Sequence, residues 1–311
     1  MIEDRILEAE SVARHILGSQ FGASGAELLP KEDARTNYVV EAVTGHGPVV
    51  LRMGPAAEAK ARFERERCVT ARVRDEGIPA PEVMCSGESA GWAYMILRRM
   101  PGRPATNHPR RLEILNEAAR AAATQIHRIR TIGFGFDFSL DGMPCGKGES
   151  TWAGWLIGVL GADRRLEFLR LHGIISDRQF GRLLETLQAV EEWSYPPVLN
   201  HGDLRLKNLL VDETGKILGM VDWERCVSAI GPHWDLGIAL HDLGVDEKEA
   251  FLDGYGLSPD EVLRLVPVWR LFNALNYFPA VRRRVGSGSA EALARIRNRF
   301  RGALDLYAVG D

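Results

Sequence analysis

The sequence predicts an α+β fold in two lobes: a small antiparallel sheet with one helix over residues 1–97, and a mainly helical part over 98–311. Three observations carry this. Runs that alternate or stay apolar, at 36–43, 49–53 and from 92 to a stop at Pro101-Gly102, have strand character. Helical periodicity takes over at 112–129. A second set of short apolar runs, around 198–199, 209–211 and 217–221, brackets a polar loop inside the helical part. With 311 residues and no Ser/Gly-rich or Pro-rich linker, the chain reads as one compact unit without internal repeats.

The elements follow in order. MIEDRILEAESVARHIL places Ile6, Ala9, Ala13, Ile16 and Leu17 on one helical face and opens with acids. It lacks the basic start and continuous apolar stretch of a secretory signal, and no run approaches a membrane span, so the expected location is the cytoplasm. TNYVVEAV and VVLRM, joined by Thr44-Gly45-His46-Gly47, form a hairpin. The charged segment ERERCVTARVRDEG is helical and ends at Gly77, before the extended Ile78-Pro79-Ala80-Pro81. WAYMILRRMPGRP is a strand that stops at Pro101-Gly102. LEILNEAARAAATQIHRI is an Ala-rich helix ending near Ile126-His127.

The polar loop holds the chemistry. In LNHGDLRLKNLLV, Asn208 follows Asp203 by five positions, and KILGMVDWE brings Asp222 fourteen positions after Asn208 at the end of an apolar strand. Magnesium takes hard oxygen ligands and draws only one or two from protein when phosphates and water complete its shell, which suits Asn208 and Asp222. A separate ionised carboxylate, Asp203, can orient an attacking hydroxyl and accept its proton. Asp-Glu-Thr-Gly at 212–215 is good turn chemistry, so a hairpin should carry Asn208 and Asp222 toward one another. Asp and Asn are also the commonest turn residues, so His201-Gly202-Asp203 alone fits an ordinary loop. A metal-dependent hydrolase built on His201, Asp203 and Asp222 is the other reading, but no second ligand stands at helical spacing nearby.

The segment with its Asp, Asn and hairpin Asp resembles the aminoglycoside phosphotransferase and choline kinase group, small-molecule kinases with a protein-kinase-like fold. The order of features from Thr36 to Leu240 follows that pattern. The resemblance implies a nucleoside triphosphate donor, ATP by default with GTP left open, used with Mg2+. Arg52 of VVLR would grip the phosphates where many relatives have Lys, a wider and flatter cation than an ammonium; an exposed strand Arg is the plainer reading. Glu66, or Glu64 one turn-face away, would hold Arg52 in place. The stretch containing Leu97 and Arg99 would be the hinge whose backbone bonds the purine, while Met95, Ile96 and Met100 also suit core packing. Arg205 or Lys207 would offset phosphoryl charge, with Arg205 favoured. Asp235 would bond the catalytic loop from behind, His127 would be a packed or capping residue, and Glu224 would assist the metal through water or stand exposed.

Composition bounds the rest. A net charge of −3 carries no signal for nucleic acid. Cys68, Cys85, Cys145 and Cys226 have no paired spacing, which disfavours zinc and disulfides. Asp242, Asp246, Glu247, Glu249 and Asp253 could form an acidic patch for a cationic substrate, or simply populate a helix start. Arg282, Arg283, Arg284, Arg295, Arg297, Arg299 and Arg301 read as a solvated surface around Leu293, Ile296, Phe300 and Leu304, or as a contact for an anion or partner subunit. Function therefore reads as O-phosphorylation of a small-molecule hydroxyl, an aminoglycoside-type antibiotic first. A metabolic kinase for an amino alcohol, sugar or amino acid is the near rival. A non-catalytic nucleotide-binding protein is favoured only by Arg52. No membrane contact is expected, and the oligomeric state is left open.

Overall fold

The computed structural model describes residues 2–30, 37–241, 243–286 and 288–304. The side chains of Ile6, Arg299 and Leu304, and the residues Thr36 and Asp242, lie outside the described set. The chain groups into two compact units. The first comprises residues 1–103 and 209–224, the second 104–208 and 225–311. The sequence reading divided the chain at 97/98 and kept the segment 209–224 with the helical part.

In the first unit, α1 (Ile2–Phe21) precedes β1 (Leu29–Pro30), β2 (Tyr38–Thr44) and β3 (Gly47–Pro55). Then come α2 (Ala56–Asp75), β4 (Val83–Ser89) and β5 (Trp92–Arg98), with β6 (Arg103–Pro104) at the division between units. The antiparallel sheet has the order β1-β2-β3-β5-β4. Strand alternation explains its packing. On β3, Val49, Leu51 and Met53 turn to the face covered by Ala9, Val12, Ala13, Ile16 and Leu17 of α1. Val50 joins Met95 and Leu97 of β5 in the opposite cluster, against Ala59 and Phe63 of α2. Arg52, two residues on from Val50, shares that second face, and its guanidinium carbon lies 5.6 Å from the Phe63 ring centroid. The helix α2 begins at Ala56, eight residues before the expected segment, because Ala-Ala-Glu-Ala-Lys-Ala after Pro55 is itself a good helix former. Gly77, at φ 83°, ends it.

The second unit opens with α3 (Arg111–Thr124). Gln125 leaves helical geometry there, so Ile126–Arg128 form a separate 3-10 turn rather than the expected continuation to 129. Short strands β7 (Thr131–Ile132) and β8 (Ser139–Leu140), a π-helical turn at Gly154–Val159, and helices α4 (Ala162–Leu171) and α5 (Asp177–Glu191) lead to β9 (Pro197–Asn200). After the loop 201–208 the chain forms the hairpin β10 (Leu209–Val211) and β11 (Ile217–Met220) of the first unit. Asp212 Oδ1 accepts from the N–H groups of Thr214 and Lys216 at 2.9 and 3.0 Å, which closes that hairpin turn.

The second unit resumes with β12 (Val227–Ile230), antiparallel to β9, then α6 (His233–Ala239), α7 (Val245–Tyr255), α8 (Pro259–Gly286) and α9 (Ala290–Leu304). Its core is rich in aromatics. The indole pairs Trp152–Trp155 and Trp155–Trp234 have ring centroids 5.2 and 5.5 Å apart, and Phe272 packs on both Trp152 and Trp234. Ile296 and Phe300 of α9 are buried in this core, whereas Arg282, Arg283 and Arg284 are exposed at the end of α8. Among the described residues, no helix is long and apolar enough to cross a membrane. None of the four cysteines is in a disulfide.

Candidate active site

In the second unit, β9 and β12 pair over four residues and deliver the loop that starts at His201. Gly202 has φ 80°, and a Cβ there would stand 1.9 Å from the carbonyl oxygen of Arg225, so only glycine fits. Asp235, fully buried at the start of α6, accepts from the N–H of His201 at 2.6 Å and of Gly202 at 2.7 Å. Its own N–H donates to Asn200 Oδ1 at 3.1 Å. This is the contact from behind the loop that the sequence reading gave to Asp235. His127 extends the network: Nε2 lies 3.1 Å from Asp235 Oδ2 and Nδ1 lies 2.9 Å from the Tyr255 hydroxyl. Donation from Nε2 to the carboxylate leaves Nδ1 to accept from the phenol. Burial first, and then the Asp235 charge, push the Tyr255 hydroxyl pKa up, which keeps it a donor.

The Asp203 side chain is almost fully buried between cations. Arg205 Nε lies 2.7 Å from Oδ1, and Lys207 Nζ lies 2.7 Å from Oδ2. Burial pushes this carboxyl up, but Arg205, Lys207 and Arg225 outweigh burial and hold it below its ordinary value. Asn208 Nδ2 donates to the Asp203 carbonyl at 2.8 Å and to its carboxylate at 3.2 Å. That orientation turns the amide Oδ1 away from Asp203 as a potential cation ligand.

In the first unit, Arg52 is held from two sides. Its Nη1 donates to Glu66 Oε1 at 2.6 Å, and its Nη2 donates to Glu224 Oε2 at 2.5 Å. Glu224 Oε2 also accepts from Asn37 Nδ2 at 2.9 Å. Glu224 thus pairs with Arg52, a role the sequence reading missed when it placed the residue near a metal or in solvent. Burial lowers the Arg52 pKa, but Glu66, Glu224 and Asp222 together raise it above its ordinary value, so the guanidinium stays charged. The Glu66 carboxyl is pushed up to about 6 by burial, against the pull of Arg52 and with the help of Asp222 and Glu224. Asp222 follows β11 in the left-handed region, at φ 70°, a conformation non-glycine residues adopt mainly at functional or strained positions.

The structure therefore brings Asp203, Arg205, Lys207 and Asn208 together within the second unit. It brings Arg52, Glu66 and Glu224 together within the first, where Asp222 exerts its charge on Arg52 and Glu66. Leu97 is buried on the α2 face of the sheet. Arg99 donates its N–H to the Pro48 carbonyl and its Nε to Glu41 at 2.8 Å, so both donors serve the sheet. Glu64 pairs with Arg67 and not with Arg52. In the acidic stretch, Glu247 bonds Arg111 and the N–H of Gly244, while Asp246, Glu249 and Asp253 are exposed. Asp246 and Glu247 occupy the first turn of α7, where acids complement the helix dipole.

The surplus of negative charge around Arg52 bears on magnesium. The charges of three carboxylates, Glu66, Glu224 and Asp222, act on one guanidinium, and burial first, then Asp222 and Glu224, raise the Glu66 pKa. Among the described residues no group of three His, Cys, Asp or Glu side chains is arranged to hold a metal ion. The donor types of Asn208 and Asp222 fit a metal that takes few protein ligands and fills its shell with phosphate oxygens.

The profile of the phosphotransferase enzyme family, APH, matches residues 28–271. The chain belongs to this family. The phosphotransferase is 28% identical to streptomycin 3''-kinase of Streptomyces griseus over 256 residues, spanning 77% of this chain and 85% of that one. Its fold is similar to that of aminoglycoside phosphotransferase APH(4)-Ia, solved as a ternary complex with AMP-PNP and hygromycin B. That match has a TM-score of 0.70 and 19% identity, and covers 96% of this chain and 100% of that one. Macrolide 2'-phosphotransferase MphH from Brachybacterium faecium matches the same fold at TM-score 0.58 and 16% identity, over 94% of this chain and 98% of that one.

Proposed function

We propose that this phosphotransferase moves the terminal phosphoryl group of ATP to a hydroxyl of a small molecule, with aminoglycoside-type antibiotics as the first acceptor class. The observation that carries this is the Asp203 carboxylate, nearly buried yet kept ionised by Arg205 and Lys207 and bonded to Asn208. A carboxylate of lowered pKa is a weak base. It suits a reaction in which bond breaking to the leaving phosphate runs ahead of proton removal, so that Asp203 chiefly aims the hydroxyl and takes its proton late.

In this reading Arg205 offsets charge on the transferred phosphoryl, with Lys207 beside it. Arg52, fixed by Glu66 and Glu224, offers its remaining N–H groups to the donor phosphates. Backbone groups within Leu97–Met100 meet the purine. Asn208 and Asp222 are the residues that would hold Mg2+, which would neutralise phosphate charge. The acceptor class is supported by the streptomycin kinase relative.

The test is magnesium-dependent ATP and GTP consumption with streptomycin, hygromycin B, a macrolide, choline-like alcohols, sugars and amino acids, with product mass recorded. Phosphorylated streptomycin or hygromycin B supports the reading. Turnover confined to an alcohol, sugar or amino acid would replace the antibiotic assignment with a metabolic kinase. Nucleotide binding without turnover on any acceptor would remove the catalytic reading.

A further inference from the structure

A cavity of about 400 Å³ opens in the second unit, and neither Asp203 nor any other residue of the loop 201–208 lines it. Its walls carry Arg128 and Arg130 after the 3-10 turn, His127, Tyr195 before β9, and His233 at the start of α6. No Asp or Glu lines it. Among the described residues, neither Arg128 nor Arg130 forms a side-chain hydrogen bond or ion pair, although surface guanidiniums elsewhere in the chain, such as Arg110 and Arg170, meet carboxylates. His233 Nδ1 is buried without a hydrogen-bond partner. Two fork-shaped guanidiniums, the His233 imidazole and a phenol hydroxyl around one space form a donor-rich, cationic site, while both ring nitrogens of His127 are already engaged by Asp235 and Tyr255. Pro196, Val198 and Pro232 supply an apolar wall, which a bare inorganic ion would not use.

We propose that this cavity binds a small organic phosphate monoester, its phosphate between Arg128 and Arg130 and its carbon skeleton against the Pro196–Pro232 wall. None of the residues given a role in phosphoryl transfer above lines it, and the inference does not rest on that reading. His127 belongs both to its wall and to the Asp235 network, so the ligand sits one imidazole from the carboxylate that fixes the catalytic loop. Burial, and then the neighbouring His127, hold His233 down at about 4, so the ring is neutral at pH 7 and the positive charge of the site comes from Arg128 and Arg130.

The experiment is calorimetric titration of the full chain, saturated with Mg·AMP-PNP to occupy the nucleotide position, using glucose 6-phosphate and inorganic phosphate in separate runs. Glucose 6-phosphate should saturate below about 10 mM, and Arg128→Ala/Arg130→Ala should weaken it about tenfold or more. Because both arginines are exposed, this double variant should keep the wild-type circular dichroism spectrum. The single variant Arg130→Gln, expected to lose about threefold or more, provides a second readout should the double variant misfold. Tighter binding of glucose 6-phosphate than of inorganic phosphate supports the monoester; equal or weaker binding overturns that ligand class. Absence of binding by the wild type, or unchanged affinity in a folded variant, overturns the site itself.

Discussion

Arg52 Nη2 donates to Glu224 Oε2 at 2.5 Å, joining a β3 residue to one that follows β11, 172 positions later in the chain. With Glu66 on the other side, the guanidinium is clamped in one rotamer before any phosphate arrives. Glu224→Gln should therefore raise the KM for ATP about tenfold with a smaller change in kcat, because a charge-assisted hydrogen bond contributes about 1.5–3 kcal/mol. Steady-state kinetics over an ATP series checks this; an unchanged KM would show that Glu66 alone suffices.

Glu66 ties the fold to pH. Its carboxyl is raised from 4.5 to about 6 in the folded chain, so the folded state holds that proton more tightly than the unfolded state. The stabilisation is complete below about pH 4.5 and is lost as pH rises through about 6. Asp203, held below its ordinary 3.8, acts in the opposite sense, stabilising above that pH and losing its contribution as pH falls further. Urea unfolding between pH 4.5 and 6.5 should show wild-type stability declining relative to Glu66→Gln by on the order of 1–2 kcal/mol. Parallel slopes for the two proteins would contradict the assignment.

Asp203→Ala should lower kcat by about a thousandfold or more while leaving Mg·AMP-PNP affinity within about threefold, since general-base and orienting contributions act on the acceptor. Equilibrium binding and single-turnover assays separate the two effects.

Asp235→Asn keeps the shape but weakens an acceptor serving two loop N–H groups and His127. A buried charged hydrogen-bond network loses about 2–3 kcal/mol on such a change, and kcat should fall about tenfold or more with little change in nucleotide KM. Asp235→Ala should destabilise further, because it strands the N–H groups of His201 and Gly202 in the interior. Denaturation midpoints for the pair rank the two losses.

Asp222→Asn should shift the magnesium requirement for turnover upward by about tenfold or more, because a charged ligand becomes neutral. Titration of free magnesium at fixed ATP measures the shift.

Much of this was readable from local pattern. The apolar run VVLRM indicated a strand, on which the family resemblance pointed to Arg52, the turn residues at 212–215 indicated the hairpin, and the Asp203-Asn208 spacing located the loop. The parts that stayed hidden involve partners distant in sequence with no periodic signature. Glu224 is one acid after a strand, and nothing local says that it returns to β3. His127 sits where α3 gives way to a 3-10 turn, and its bonds run 108 residues to Asp235 and 128 to Tyr255. The cavity beside it is assembled from three separate stretches, 127–130, 195–198 and 231–233, each unremarkable when read alone. The helix α2 began earlier than expected because its charged outer face masks a propensity that Ala-rich composition supplies from Ala56 onward.

The indoles of Trp152, Trp155 and Trp234 are close enough for their electronic transitions to couple, giving the second unit its own near-ultraviolet dichroism signature. Trp92 and Trp223 of the first unit stand outside that cluster. Melting followed at those wavelengths would weight that hydrophobic interior, an optical handle that the polypeptide carries without any label.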